Sequence, residues 1–251
     1  MRPWLLRAFL ASRRAVGHGH VTLDLAGGPV RFRATTPDEY VVGRSGYGEQ
    51  RFIERAVADI PPGGVFYDVG ANIGLYAIPA SRRASRVIAF EPAPANADAL
   101  AANAVLNKRT NIELRRVAVG ETEGTMAFFV SSGGAGTQVN SLVQGVVSTY
   151  GRDPARIDIH VVTLDGLLAD LPPPDVVKID VEGAEGPVLR GAQTLLRRHA
   201  PILHVELHPG AMEQFGDSEA AIREMLESAD YAVERDARGG TYKLLARPRG
   251  R

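Results

Sequence analysis

Acidic residues stand at the ends of several apolar runs in this sequence, two of them beside glycines. The first case is VFYDVGANIG, residues 65–74, where Asp68 precedes Gly70, Asn72 and Gly74. Glycines let a backbone approach a ligand closely. Turns built for a pyrophosphate use G-x-G-x-x-G ahead of a helix. Here the glycines follow a different spacing, and Asp68 would repel a phosphate, so a ligand carrying a cation suits the turn better. The next apolar run, RVIAF, ends in Glu91. It lies about 20 residues on, the interval at which a strand-end acid meets a ribose diol. A carboxylate accepts hydrogen bonds from both hydroxyls. Each acid alone reads equally well as a solvated strand end; the pair on consecutive runs favours a nucleoside site.

S-adenosylmethionine meets these demands, with an ammonium, a sulfonium, a ribose and no phosphate. Transfer of its methyl group is an in-line displacement from an already activated donor. Alignment alone can supply about 7–11 kcal/mol, and an alcohol acceptor gains further from a base. Candidates follow two later runs. VVKIDVEG carries Asp180 and Glu182, and ILHVELH carries His204, Glu206 and His208 at period two. Three readings stay open for this group. It supplies a general base and hydroxyl acceptors, or it holds a divalent cation, or its glutamates are structural acceptors of backbone or arginine hydrogen bonds. We assign no metal. Glu182 and His208 are the candidates for proton removal, Glu206 for orientation, and Asp180 lies nearer the cofactor. Glu185 reads as a helix-start acid facing the dipole, and Lys178 as a strand residue paired with an acid.

These residues need elements to position them. Residues 49–60, 75–84, 95–106, 184–199 and 217–229 have helical spacing or composition. Residues 65–69, 86–91, 112–119, 125–130, 159–164, 175–181 and 202–207 read as strands, with terminal strands near 231–235 and 241–246. Strands alternating with helices predict a mostly parallel sheet with helices on both faces. Residues 20–35 alternate around Gly27 and Gly28 and predict a β-hairpin. The irregular stretch 131–158 predicts an acceptor-setting loop, mobile over 131–150, with Asn140, Ser141 and Tyr150 as contacts.

The chain has 251 residues and no cysteine, which excludes disulfides, zinc–thiolate sites and a cysteine nucleophile. Formal net charge is zero, giving no general attraction to nucleic acid or anionic membrane. Trp4, Leu5, Phe9 and Leu10 suggest a short packed helix rather than a signal peptide, because Arg7 breaks the apolar run. We expect an N-terminal helix and hairpin extension over 1–48 and the main domain over 49–251. We also expect a cytoplasmic location and no membrane span; a homodimer is compatible with the sequence.

DVGANIG, FEPAPANADALAANAVLN, VVTLD, VKIDVEGAEGPVLRGA and ILHVELH together resemble the FkbM-type methyltransferases. The resemblance runs from about Glu49 to His208. It implies a Rossmann-like class I methyltransferase fold with a seven-stranded sheet. It also implies a dependence on S-adenosylmethionine and O-methylation of a hydroxylated small molecule, a sugar or natural product. By the same resemblance Asp68, Gly70, Asn72 and Gly74 line the methionine side. Glu91 holds the ribose, Pro92 and Asn96 follow it in the family run, and Val117 and Ala118 border the adenine. Asn103 and Asn107 match the run as helix-ending residues. The competing reading is a methyltransferase acting on RNA or protein, or a relative that binds the cofactor without turnover.

Overall fold

Five apolar runs form the parallel strands of one sheet. They are β3 (Val65–Val69), β4 (Arg86–Phe90), β5 (Ile112–Arg115), β9 (Val176–Ile179) and β10 (Ile202–Leu207). The computed structural model describes residues 19–35, 37–131, 142, 154–236 and 242–250. The chain ends in β11 (Tyr231–Asp236) and β12 (Tyr242–Pro248). The seven strands lie in the order β11-β12-β10-β9-β3-β4-β5. β12 runs antiparallel to both its neighbours, while the other pairings are parallel.

From β3 the chain winds outward through β4 and β5, then returns on the other side of β3 as β9. That reversal opens a crevice beyond the carboxyl ends of β3 and β9, where ligands bind in open α/β sheets. Asp68, Glu91, Asp180, Glu206 and His208 all lie at carboxyl ends of strands in this part of the sheet.

The central strands β3, β4 and β9 are buried on both faces, as expected for parallel strands covered by helices. On one face Tyr67, Val69, Ile88, Phe90 and Val177 pack with Val188 and Leu189 of α6 (Glu185–Arg190). Ile222 and Leu226 of α8 (Glu219–Ser228) complete that layer. On the other face Phe66, Val87, Ala89 and Val176 meet Ile53 and Ala56 of α2 (Gln50–Asp59). They also meet Ile78 of α3 (Ala77–Ala80) and Leu100 of α4 (Pro94–Leu106). The hairpin forms as expected, with β1 (His20–Leu23) antiparallel to β2 (Val30–Arg33). Its Val21, Leu23, Val30 and Phe32 join this second cluster.

Asn103 and Asn107, four apart on one face of α4, bind that hairpin. Asn103 Oδ1 accepts from Arg33 N at 2.8 Å, and its amide donates to Ile73 O at 2.9 Å. Asn107 accepts from Arg31 N at 3.0 Å and donates to Arg31 O at 2.6 Å. Asn107 also terminates the helix, as expected; the tether to β2 is the larger finding.

Four expectations need correction. Residues 154–158, read as loop, belong to β8 (Pro154–Val162), which ends before the expected residue 164. Residues 112–119 are two strands, not one. β5 stops at Arg115, and β6 (Ala118–Val119) joins a second sheet with β7 (Gly124–Ser131) and β8 (Pro154–Val162) in the order β6-β8-β7. Exposed Arg116 leaves the core at the break and pairs with Asp98 at 2.6 Å. Residues 184–199 are not one helix: α6 stops at Arg190 because Gly191 abuts Gly120, where a Cβ would lie 2.1 Å from its carbonyl oxygen. The chain restarts with Thr194 and Leu195 donating to Asp165 at 2.8 Å and forms a π-helical turn at Leu195–His199. A further helix, α1 (Pro37–Ser45), packs against β1 and β2 where none was expected.

Candidate active site

Asp68 and Lys178 sit directly opposite each other in the β3–β9 pairing. Asp68 is fully buried, and Lys178 Nζ lies 3.3 Å from its Oδ1, 3.4 Å from Asp180 Oδ2 and 2.6 Å from Gly70 O. Burial raises the Asp68 carboxyl above its ordinary range, against the opposing pull of Lys178. Burial also works against the Lys178 charge, but Asp180, Asp68 and Glu49 outweigh it and keep the ammonium protonated. One lysine thus balances two acids beneath the crevice.

The chain turns at Gly70, whose φ is 75°. A Cβ there would stand 1.8 Å from Asp180 O, so the turn nests against the end of β9 with no room for a side chain. Asn72 is also left-handed, at φ 50°, and its N–H donates to Glu91 Oε2 at 2.7 Å. Glu91 Oε1 accepts from Ala93 N at 2.9 Å. Glu91 therefore ties the glycine turn to the end of β4. Each oxygen accepts one backbone N–H, and a carboxylate offers about four acceptor sites, so capacity remains for a diol. Burial pushes its carboxyl up to about 7. Gly74, at φ 93°, faces Ile78 and Leu100, where a Cβ would lie 3.0 and 3.3 Å from their side chains. Pro92 is half-buried ahead of α4 and Asn96 is buried in its first turn, while Val117 and Ala118 follow β5.

The second group gathers where β9 and β10 end. Glu182 has φ 54° and Gly183 φ 111°. Such a conformation in a residue other than glycine is strained and typical of functional turns. It brings Glu182 Oε2 to 3.5 Å from His208 Nε2, with Asp180 Oδ1 at 3.8 Å. These side chains keep 19–26% of their surface exposed. One ligand atom from each lies within 4.8 Å of the others, a grouping that can also share one cation. Behind them His208 Nδ1 lies 2.8 Å from Glu185 Oε1.

Burial pushes the Glu182 carboxyl up to about 8. Burial opposes charge on His208, but the hydrogen bond to Glu185 and the charges of Glu182 and Asp180 outweigh it and lift the imidazole to about 10. Asp180 is also desolvated, yet Lys178, His208 and Lys243 hold its carboxyl below the ordinary range.

The period-two face of β10 divides into three environments. His204 Nε2 lies 2.9 Å from Asp59, which Arg247 also grips. Glu206 forms a close ion pair with Lys243, whose Nζ is 3.0 Å from Glu49 Oε1; Tyr76 donates to the other Glu49 oxygen at 2.8 Å. Burial and the Asp180 charge raise Glu206 to about 7. Only His208 of the three meets Asp180 and Glu182.

Sequence reasoning placed Asp180, Glu182, His204, Glu206 and His208 in one group; the structure keeps Asp180, Glu182 and His208 together but sets His204 against Asp59 and Glu206 against Lys243. Sequence reasoning missed Glu185 as a partner of His208, Lys243 as a partner of Glu206, and the role of Glu49. The signal for Glu185 was its place three residues beyond Glu182 in a turn that reverses. Asn140, Ser141, Tyr150, Trp4, Leu5, Phe9 and Leu10 lie outside the described residues.

The turn and Glu91 therefore fit a nucleoside that carries positive charge: spare carboxylate acceptors, a glycine bend and anionic Asp180 face one crevice. A methyltransferase FkbM domain matches residues 68–233. The chain is 32% identical over 208 residues to the hexuronic acid methyltransferase AglP of Haloferax volcanii, covering 82% of this chain and 81% of that protein. It is 27% identical over 203 residues to Methyltransferase 1 of Beauveria bassiana, covering 72% and 78%. Among solved structures it is similar to methyltransferase FkbM from Methylobacillus flagellatus, with a TM-score of 0.50 and 17% identity over 75% of this chain and 44% of that one, a likeness that speaks to the fold alone. This chain is an S-adenosylmethionine-dependent methyltransferase and belongs to the FkbM methyltransferase family.

Proposed function

We propose that the enzyme methylates a hydroxyl group of a small molecule, a sugar or a hydroxylated natural product. The observation that carries this reading is the convergence of Asp180, Glu182 and His208 at the carboxyl ends of β9 and β10. AglP, named for activity on a hexuronic acid, supports a sugar as the acceptor class. A net charge of zero gives no general attraction to RNA.

The cofactor supplies an activated methyl group when bound. Gly70, Asn72, Glu91 and Asp180 bind and orient it on the β3–β9 side of the crevice, with Pro92, Asn96, Val117 and Ala118 alongside; Asp68, fully buried against Lys178, supports the turn from beneath. The Glu182–His208 pair manages the acceptor proton as a unit, since their titrations belong to the pair. The imidazolium of His208 faces the carboxyl groups of Asp180 and Glu182 in the resting site, with Nε2 3.8 and 3.5 Å from them. Once the shared proton leaves, the pair accepts the hydroxyl proton as the oxygen attacks. Glu206, clamped by Lys243, supports this wall from below and orients it through its charge.

The test is incubation with S-adenosylmethionine and a panel of sugars and uronic acids, read by mass spectrometry as a gain of one methyl group. His208→Ala and Glu182→Gln are expected to lower turnover about 10²–10⁴-fold, with cofactor affinity nearly unchanged. Methylation of RNA or protein but of no small molecule overturns the reading.

A further inference from the structure

Glu185 is fully buried, and its Oε1 accepts from Gly183 N at 3.0 Å while lying 2.8 Å from His208 Nδ1. Its other oxygen is buried and has no hydrogen-bond partner among the described residues. Leaving a buried carboxylate oxygen unmatched is costly. A residue needed only to hold the Gly183 turn would do so more cheaply as an uncharged amide. The charge therefore needs another purpose, and the imidazole beside it supplies one.

The groups facing His208 are Glu185 from α6, and Asp180 and Glu182 from the turn after β9. Glu185 takes Nδ1. Nε2 is left pointing at the two carboxylates, which also border the crevice. A hydrogen bond at one imidazole nitrogen determines which nitrogen works at the other side of the ring. We propose that Glu185 is the positioning residue of the enzyme, holding the proton on Nδ1 of His208 and presenting Nε2 to the acceptor. Glu185 touches no reacting atom in this arrangement and acts through His208, while its bond to Gly183 N helps hold the turn. The inference rests on the reading of His208 as part of the proton-handling pair.

Glu185→Gln tests it. Glutamine keeps the length, and its oxygen can still accept from Gly183 N, so the fold is retained; circular dichroism and melting temperature check this. The expected result is a turnover about 10–100-fold lower with KM for the acceptor nearly unchanged. Nitrogen-15 spectra of the His208 ring are expected to shift between wild type and variant. In a His208→Ala background, Glu185→Gln is expected to cost no further activity, because the two act as one unit. An equal loss in both backgrounds, or unchanged ring spectra, overturns the inference. If the ring spectra shift but His208→Ala is fully active, the positioning holds and the proton-handling reading fails. Should Glu185→Gln unfold, Glu185→Asp with the same spectra takes its place, and an unshifted ring again overturns the proposal.

Discussion

Gly70 and the carbonyl oxygen of Asp180 stand so close that a Cβ on the glycine would lie 1.8 Å from that oxygen. The two residues join the ends of β3 and β9 where the sheet reverses its winding. Neither backbone can retreat, since Gly70 N is bonded to Phe90 O at 3.0 Å and Asp180 N to Val69 O at 3.1 Å. Gly70→Ala therefore strains both the left-handed turn and this contact. We expect a lower melting temperature by thermal denaturation and loss of cofactor binding by calorimetry. A variant as stable and as active as wild type contradicts the contact.

Glu91 is expected to be the main polar anchor of the cofactor. Glu91→Ala removes both the diol acceptor and the bond to Asn72 N, and should weaken binding by about 1.5–3 kcal/mol, the range for hydrogen bonds to charged groups. Calorimetry with S-adenosylhomocysteine measures this. NAD should not bind, and tight NAD binding counts against the assignment.

The pH dependence of turnover follows from the raised Glu182 and His208 groups, at about 8 and about 10. Below pH 8 the pair holds its proton and accepts another poorly. The rate under saturating substrates should rise from pH 6 toward pH 9. A profile falling over that interval argues against the pair as base.

The same two groups affect stability with a definite sign. Both have folded-state values above their ordinary 4.5 and 6.5, so the folded state binds more protons than the unfolded state. Their contribution is fully present below the unfolded values and is lost as pH rises through the folded ones. The melting temperature of the cofactor-free protein should therefore fall between pH 6.5 and pH 9. A rise over that range would mean that the cluster is not buried as described.

Chelation separates the metal-free reading from a cation site. We expect EDTA to leave turnover unchanged. Loss of activity with recovery on adding a divalent ion would make Asp180, Glu182 and His208 ligands instead.

Much of this arrangement was legible from residue patterns, because buried parallel strands write themselves as short apolar runs. ILHVEL gave β10 to the residue, β9 was read as 175–181 and is the shorter VVKI, and the acids after both runs marked the crevice. The misreadings share one cause: tertiary contacts leave no local trace. IELRRVAV shows no break, yet the chain changes sheets at Arg116. Gly191 ends a helix because of Gly120, far away in sequence. Glu185 is a helix-start acid as read, yet its burial and its bond to His208 leave no mark in the sequence, and Glu206 meets Lys243 only through the β10–β12 pairing.

Ser131 and Pro154 face each other on the β7–β8 ladder. Both ends of the segment 132–153 are therefore held at a single rung. Closing a longer loop across a fixed gap costs little more than closing a short one. By that rule the rung itself sets no limit on the length of the segment it closes, whereas Leu142, packed on the cluster of Phe128, Ile159 and Val161, does constrain its composition.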